Sequence, residues 1–420
     1  MHDAMRKAWF AALPVTWAAC GTGAQVARGP EAVTDTIGDT IIVRTLSGSA
    51  WGRDATLVPE LSIGEADGPD EYLFGSIASI AVDDDRNVHV LDRQGQYIRS
   101  FNANGQYVRS WGRRGEGPGE LSNAAAMAVF PDGRIVVRDH GNNRVQVFGP
   151  GDAPPEEWGY NSGNYGTSEP LWTDREGRTY VVAPDLSQPF GARDNIYIVF
   201  DPDGVVRDTL RQPHAAFMSA VVRAEGGNGA VVIRSVPFSP SVIPAIHPDG
   251  GFVSGISSDY SIDRDLPDGV LRIERVYERV PVSPRQADYE REAAERMVGM
   301  SVPGWQWDGP PIPETKPPFT GLYVGLGGRL WVRVSTEGRE VENPDHEPDN
   351  PFSSAVRWQA PLRFDVFEAD GTYLGAVNPP EDFSVYHPPV FNGDDVWAVS
   401  RDELDIQRVV RYRIALESES

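Results

Sequence analysis

Residues 77–112 read IASIAVDDDRNVHVLDRQGQYIRSFNANGQYVRSWG, and they divide into four short strands joined by three turns. Ile77 to Val82 is an apolar run, Asp83 to Asn87 a polar turn, and Val88 to Leu91 a second strand. After a turn at 92–96, Tyr97 to Phe101 alternates. Asn104-Gly105 supplies the positive-φ pair of a tight hairpin, and Tyr107 to Trp111 closes the unit. A single small sheet leaves its faces uncovered, so the unit is expected to recur.

It is present in six copies. DDDRNVHVLD at 83–92 returns as FPDGRIVVRD at 130–139, REGRTYVV at 175–182, HPDGGFVS at 247–254, GLGGRLWV at 325–332 and NGDDVWAV at 392–399. A second mark, an alternating strand ending in Asn-Gly or Asp-Gly, follows at 101–108, 200–207, 266–273 and 367–374, with Phe148-Gly149-Pro150-Gly151 a degenerate version. Four strands repeating at this period predict an all-β, six-bladed β-propeller of four-stranded antiparallel blades. The blades are expected near 77–111, 123–158, 168–211, 242–282, 319–378 and 389–416, within a domain at 34–416. The sixth repeat falls one strand short. Asp39–Thr45 is the expected replacement, an N-terminal strand that completes the last blade, with Ile41–Val43 beside Val409–Tyr412.

On this blade pattern, on Gly112-Arg113-Arg114-Gly115-Glu116-Gly117-Pro118-Gly119-Glu120, and on Asp139-His140-Gly141-Asn142-Asn143-Arg144-Val145, the chain resembles six-bladed propellers of the NHL-repeat type. The resemblance implies an architecture and a habit of binding ligands or partners. It does not fix a function.

The formal charge is −23 over 420 residues and the mean hydropathy is −0.37. An acidic surface repels phosphate backbones, which argues against nucleic acid as a partner. One cysteine leaves no intramolecular disulfide, and its position is informative. Met5-Arg6-Lys7, an apolar run from Ala8 to Ala19, and Cys20-Gly21 resemble a bacterial lipoprotein signal with Cys20 as the lipidated residue; Trp17 departs from that pattern. The rival is an ordinary signal peptide cut after Ala24. Both predict export, with 1–19 as signal and 20–33 as a flexible tether in the lipid-anchored case. The expected place is the cell envelope, and the expected state is a monomer.

Between Val282 and Phe319 one helix is predicted. Ser283 is its cap, Pro284 its first residue and Gln286 the capping-box partner. Tyr289, Ala293, Met297, Ala294 and Val298 mark its apolar side, with Glu290, Arg291, Glu295 and Arg296 facing solvent. The helix and a Pro/Trp-rich stretch form an insertion at 283–318. In a meander, the first and third turns share one end, and the second turns and blade links share the other. Every long insertion falls in the second set, so that end should carry recognition.

No catalytic motif is present: the seven histidines include no i, i+3 or i, i+4 pair, and there is no G-x-S-x-G. Asp139, Asn142 and Arg144 suit a structural role, a carboxylate accepting N–H groups while an arginine bridges blades, with ligand contact the second reading. Candidate ligand-binding residues on the loop-rich end are Arg93, Arg113, Arg114, His140, Trp305 and Trp307. The indole pair has two roles open to it, stacking on a sugar or peptide, or pinning its loop. The first functional reading is a binding protein for a peptide, glycan or envelope partner, with no catalytic residue and no cofactor. The second is a calcium-dependent lactonase or esterase, implied by similar propellers, whose ligands here would be residues such as Asn123, Asn392 and Glu169 at the channel.

Overall fold

The structure, a computed structural model, describes residues 29–160, 170–188, 194–227, 229–350, 352–402 and 404–417. Six antiparallel sheets follow one another along the chain. The first consists of Ile77–Val82, Val88–Asp92, Tyr97–Phe101 and Tyr107–Trp111, paired in that order. The others lie at 124–159, 171–211, 242–275, 319–378 and 390–416. Glycines with positive φ close the short hairpins, as at Gly105 (φ +77°) and Gly133 (φ +82°), where a Cβ would be strained.

Burial shows that the sheets form a closed ring. Six apolar clusters each join one blade to the next, and the sixth joins the last blade to the first through Trp397, Val399 and Val409 against Ile77, Ile80 and Val90. Each blade therefore buries both faces. This is why strands such as Ile135–Asp139 are buried throughout instead of alternating.

The ring is closed by an N-terminal strand, but not the expected one. Ala55–Ile63 pairs antiparallel with Gln407–Leu416, setting Leu57 opposite Ile414 and Ile63 opposite Val409. Its first residues also touch the outer strand of blade five, with Ala55 beside Val377. Thr40–Ser47 instead runs parallel to Gly269–Arg275, the outer strand of blade four, and carries Glu31–Ile37 as a hairpin partner. The expected placement of 39–45 on the last blade is thus corrected, and residues 31–33 of the expected tether are strand.

The reason lies in a bulge between Pro59 and Leu61. Ala55 and Leu57 face the blade five–six core, while Leu61 and Ile63 face the blade six–one core. Simple alternation cannot place 57 and 63 on opposite faces; one extra residue does. Pro59 argues against a central strand, but this strand is outermost, where a missing N–H is tolerated.

The helix Pro284–Gly299 begins as expected, with Ser283 Oγ accepting from Gln286 N at 3.2 Å. Its buried line is Gln286, Ala294 and Val298, whereas Met297 is exposed and Glu290 turns inward. The helix packs Val298 with Val302 and Trp305 onto Ala224 and Val232 of a separate hairpin, Val221–Glu225 with Val231–Ser235. That docking surface, absent from any local pattern, rotates the inner face away from Met297.

Candidate ligand site at the loop-rich end of the channel

Strand direction places at one end the blade links and the second turns. The helix, the hairpin at 221–235, the hairpin Arg339–Glu342 with Val356–Gln359, and the link at 379–389 all belong to this end. The opposite end has the tight turns.

Blade two shows how the end is built. Asp139 is fully buried at the end of a strand and accepts four hydrogen bonds: Ser122 N at 2.7 Å, Asn142 Nδ2 at 2.7 Å, Arg144 Nε at 2.9 Å and Gln146 Nε2 at 2.9 Å. Arg144 donates onward to Gly117 O and Glu120 O in the link from blade one, both at 2.8 Å. Asp92 does the same for blade one through Gly75 N and Gly95 N, each at 2.6 Å. Gln96 Oε1 accepts Ala124 N at 2.9 Å, and Gln407 Oε1 accepts Ile77 N at 2.7 Å, so a glutamine after the second turn holds the next blade's first strand.

On this frame Arg93 is half-buried, tied through Arg93 N to Ser76 O at 2.7 Å, and its guanidinium makes no hydrogen bond or ion pair among the described residues. Arg114 donates to Gln94 O at 2.5 Å, so it joins Arg93 in the same turn. Arg113 is committed to Glu120 at 2.8 Å and is largely exposed. His140 begins the short helical turn after Asp139; burial, and then Arg138, hold its pKa down, and its Nδ1 has no partner among the described residues. Arg138 itself is buried, binding Tyr160 Oη at 2.8 Å and Val182 O at 3.0 Å to join blades two and three.

A residue not singled out from the sequence completes the group. His387 is 7% exposed, and its Nδ1 donates to Ala78 O at 3.0 Å, bridging the blade five–six link to blade one. Burial lowers its pKa, and Arg401 and Arg93 lower it further, so the ring is neutral at pH 7. With the proton on Nδ1, Nε2 presents a lone pair that no described residue meets. Arg93 thus lies close enough to His387 to lower its pKa, and it keeps an unpaired guanidinium beside a histidine whose Nε2 is buried without a partner among the described residues.

Trp305 and Trp307 lie elsewhere, in the insertion. Their rings are 6.2 Å apart and tilted by 57°; Trp305 packs in the small core under the helix, while Trp307 N donates to Glu295 Oε1 at 2.8 Å and Trp307 Nε1 to Pro310 O at 3.2 Å. The contacts pin the insertion, and both rings stay half-buried. Cys20 and Glu169 lie outside the described residues. Asn123 is at the loop-rich end, left-handed at φ +51°, and Asn392 is at the other end, opposite Asp395 in a tight turn. Among the described residues no three His, Cys, Asp or Glu side chains are grouped to hold a metal ion.

Residues 121–148 match the NHL repeat. They include the Asp139 cluster whose bonds are described above, and the repeat's side chains there are used in joining blades. No curated protein matches the chain. Among solved structures, the chain is similar to a Bacteroides fragilis protein described as exported (10% identity, covering 90% of this chain and 100% of that one, TM-score 0.47). It is also similar to virginiamycin B lyase from Staphylococcus aureus (11%, 86% and 100%, 0.42) and to a DUF4221 family member from Bacteroides vulgatus (9%, 87% and 99%, 0.46). The propeller assignment rests on the strand pairing and the inter-blade cores of this chain.

The signal for Arg93 was its place in a second turn. His387 had no such signal, since its link, 379–389, joins blades five and six outside the repeat and meets blade one only through the fold.

Proposed function

We propose that the protein is an exported propeller that binds a peptide, glycan or protein partner across its loop-rich end. The observation that supports this most is Arg93 at the loop-rich end, a half-buried guanidinium that makes no hydrogen bond or ion pair among the described residues. An unengaged guanidinium suits a polar ligand with carbonyl or hydroxyl oxygens, as peptides and sugars have. The acidic charge of −23 favours neutral or basic ligands over nucleic acid. No helix among the described residues is long and apolar enough to cross a membrane; tethering is proposed through Cys20. The hydrolase reading needs its ligands at one mouth, and Asn123 and Asn392 stand at opposite ends; binding is therefore the reading we adopt.

The test is thermal denaturation against panels of oligopeptides, oligosaccharides and calcium, with each positive repeated on Arg93→Ala. A peptide or sugar that raises the midpoint in the native chain and not in the variant supports the proposal. A shift with calcium alone would replace it with the hydrolase reading, and positives indifferent to Arg93→Ala would move the site elsewhere.

A further inference from the structure

The strand Glu31–Ile37 lies outside the ring. The ring closes without it, through Ala55–Ile63, and all seven of its residues are exposed, so no core burial offsets the entropy of ordering it. It ends the six-stranded sheet of blade four, and no described strand pairs with its outer edge.

Pairing within the sheet decides which backbone groups that edge presents. Asp39 O and Thr45 O accept from Val270 N and Val276 N of blade four, both at 3.0 Å. Alternation turns the groups of Thr40, Ile42 and Arg44 the other way, onto Ile37, Asp35 and Val33, their partners in register. The N–H and C=O of Ala32, Thr34 and Thr36 therefore point outward. Among the described residues one of these six groups has a partner: Thr36 N donates to Asp35 Oδ1 at 2.8 Å. Proline and lysine, the usual guards of an open edge, are missing from the strand, and Val33 and Ile37 are 49% and 64% exposed.

We propose that this edge pairs with itself in a second copy of the chain, the two strands antiparallel about a two-fold axis at Thr34. That register joins all six outward groups, Thr34 to Thr34 and Ala32 to Thr36 twice, with Thr36 N exchanging Asp35 Oδ1 for the Ala32 carbonyl of the second copy. It sets Val33 opposite Asp35 and Glu31 opposite Ile37. Sliding the strands by two residues in one direction opposes Glu31 to Asp35, and sliding them in the other opposes Asp35 to itself. Either slip brings acids together and the fully bonded register does not, so the edge is complementary in charge to its own copy. The two Val33 side chains come within diagonal reach across the axis and lose water that a single copy leaves on them. The interface is one strand wide and each copy carries a charge of −23, so the dimer is weak and tightens with salt. It is independent of the channel mouth and does not need the binding proposal above.

The experiment is sedimentation velocity of the full chain from about 1 to about 200 μM, at low and at high sodium chloride. A monomer–dimer equilibrium is expected, tighter in high salt. Thr34→Pro removes an N–H that has no partner within the described chain and should weaken the dimer at least roughly tenfold. Val33→Asp faces Arg44 inside the hairpin, which keeps the hairpin, but in the dimer each new carboxylate meets an Asp35; weakening by about fivefold is expected. Ile37→Lys, opposite Glu31 of the second copy, should tighten the dimer by about the same factor. Far-UV circular dichroism and an unchanged thermal midpoint check that the variants are folded. A chain that stays monomeric at the highest concentration in high salt would overturn the proposal. So would a dimer indifferent to Thr34→Pro and to both charge changes in folded variants, since it would then form on another surface.

Discussion

Removing the Asp365 carboxylate is expected to unlatch blades four and five. Asp365 is 1% exposed on blade five and accepts Tyr260 Oη at 2.8 Å and Arg275 Nη1 at 2.9 Å from blade four, and Tyr373 Oη at 2.9 Å from its own blade. Burial and the neighbouring carboxylate push both phenols up, so both are neutral donors at any ordinary pH. Asp365→Ala strands three donors, one a largely buried cation, and should cost about 3–5 kcal/mol. Asp365→Asn retains the shape but not the charge opposite Arg275, and about 1–2 kcal/mol is expected. Urea unfolding followed by tryptophan fluorescence measures both. Adding Arg275→Met to Asp365→Ala removes the orphaned cation and should recover part of the loss. A cost below about 1 kcal/mol for Asp365→Ala, or strictly additive effects in the pair, would refute the latch.

Ring closure makes a paired prediction: Ile63→Asp puts a charge into the blade six–one core and should cost about 3 kcal/mol or more, whereas Ile41→Asp, on a 40% exposed position, should cost under about 1 kcal/mol in the same urea assay. The reverse order would restore 39–45 as the closing strand. His247 has a folded pKa of about 4 against an ordinary 6.5, so its contribution is full above pH 6.5 and disappears as pH falls toward 4, roughly 3 kcal/mol in all. His247→Asn can retain the acceptor for Asp249 N and should flatten that limb of stability against pH; an unchanged limb would assign the acid loss to other groups. Intact mass of the membrane fraction should show an acylated N-terminus at Cys20, and a soluble form starting at Gln25 would defeat lipidation.

Much of the fold was legible because its signals are short-range. The left-handed residue of a tight turn must be supplied where the turn occurs, so Asn104-Gly105 and Asp132-Gly133 mark hairpins without knowledge of the partner. The structural reading of Asp139, Asn142 and Arg144 was legible for the same reason, since their bonds run to a turn and an adjoining link. Of the site candidates, Arg114 reaches from its link to the turn that holds Arg93 and His140 sits in the corresponding turn of the next blade, whereas the two tryptophans belong to a separate small core. His387 was not legible, because its partner carbonyl on Ala78 is 309 residues distant.

The amino-acid order alone determined the number of blades, the sites of their tight turns, and the cap of the helix, all settled by contacts within a few residues. The tertiary structure decided which of two N-terminal segments closes the ring, which side of the helix is buried, and which cations stay unpaired. Two strands of similar composition can each extend a sheet. The choice between them depends on whether their side chains fit both neighbouring blades, and the bulge at Pro59–Leu61 gives that fit to Ala55–Ile63.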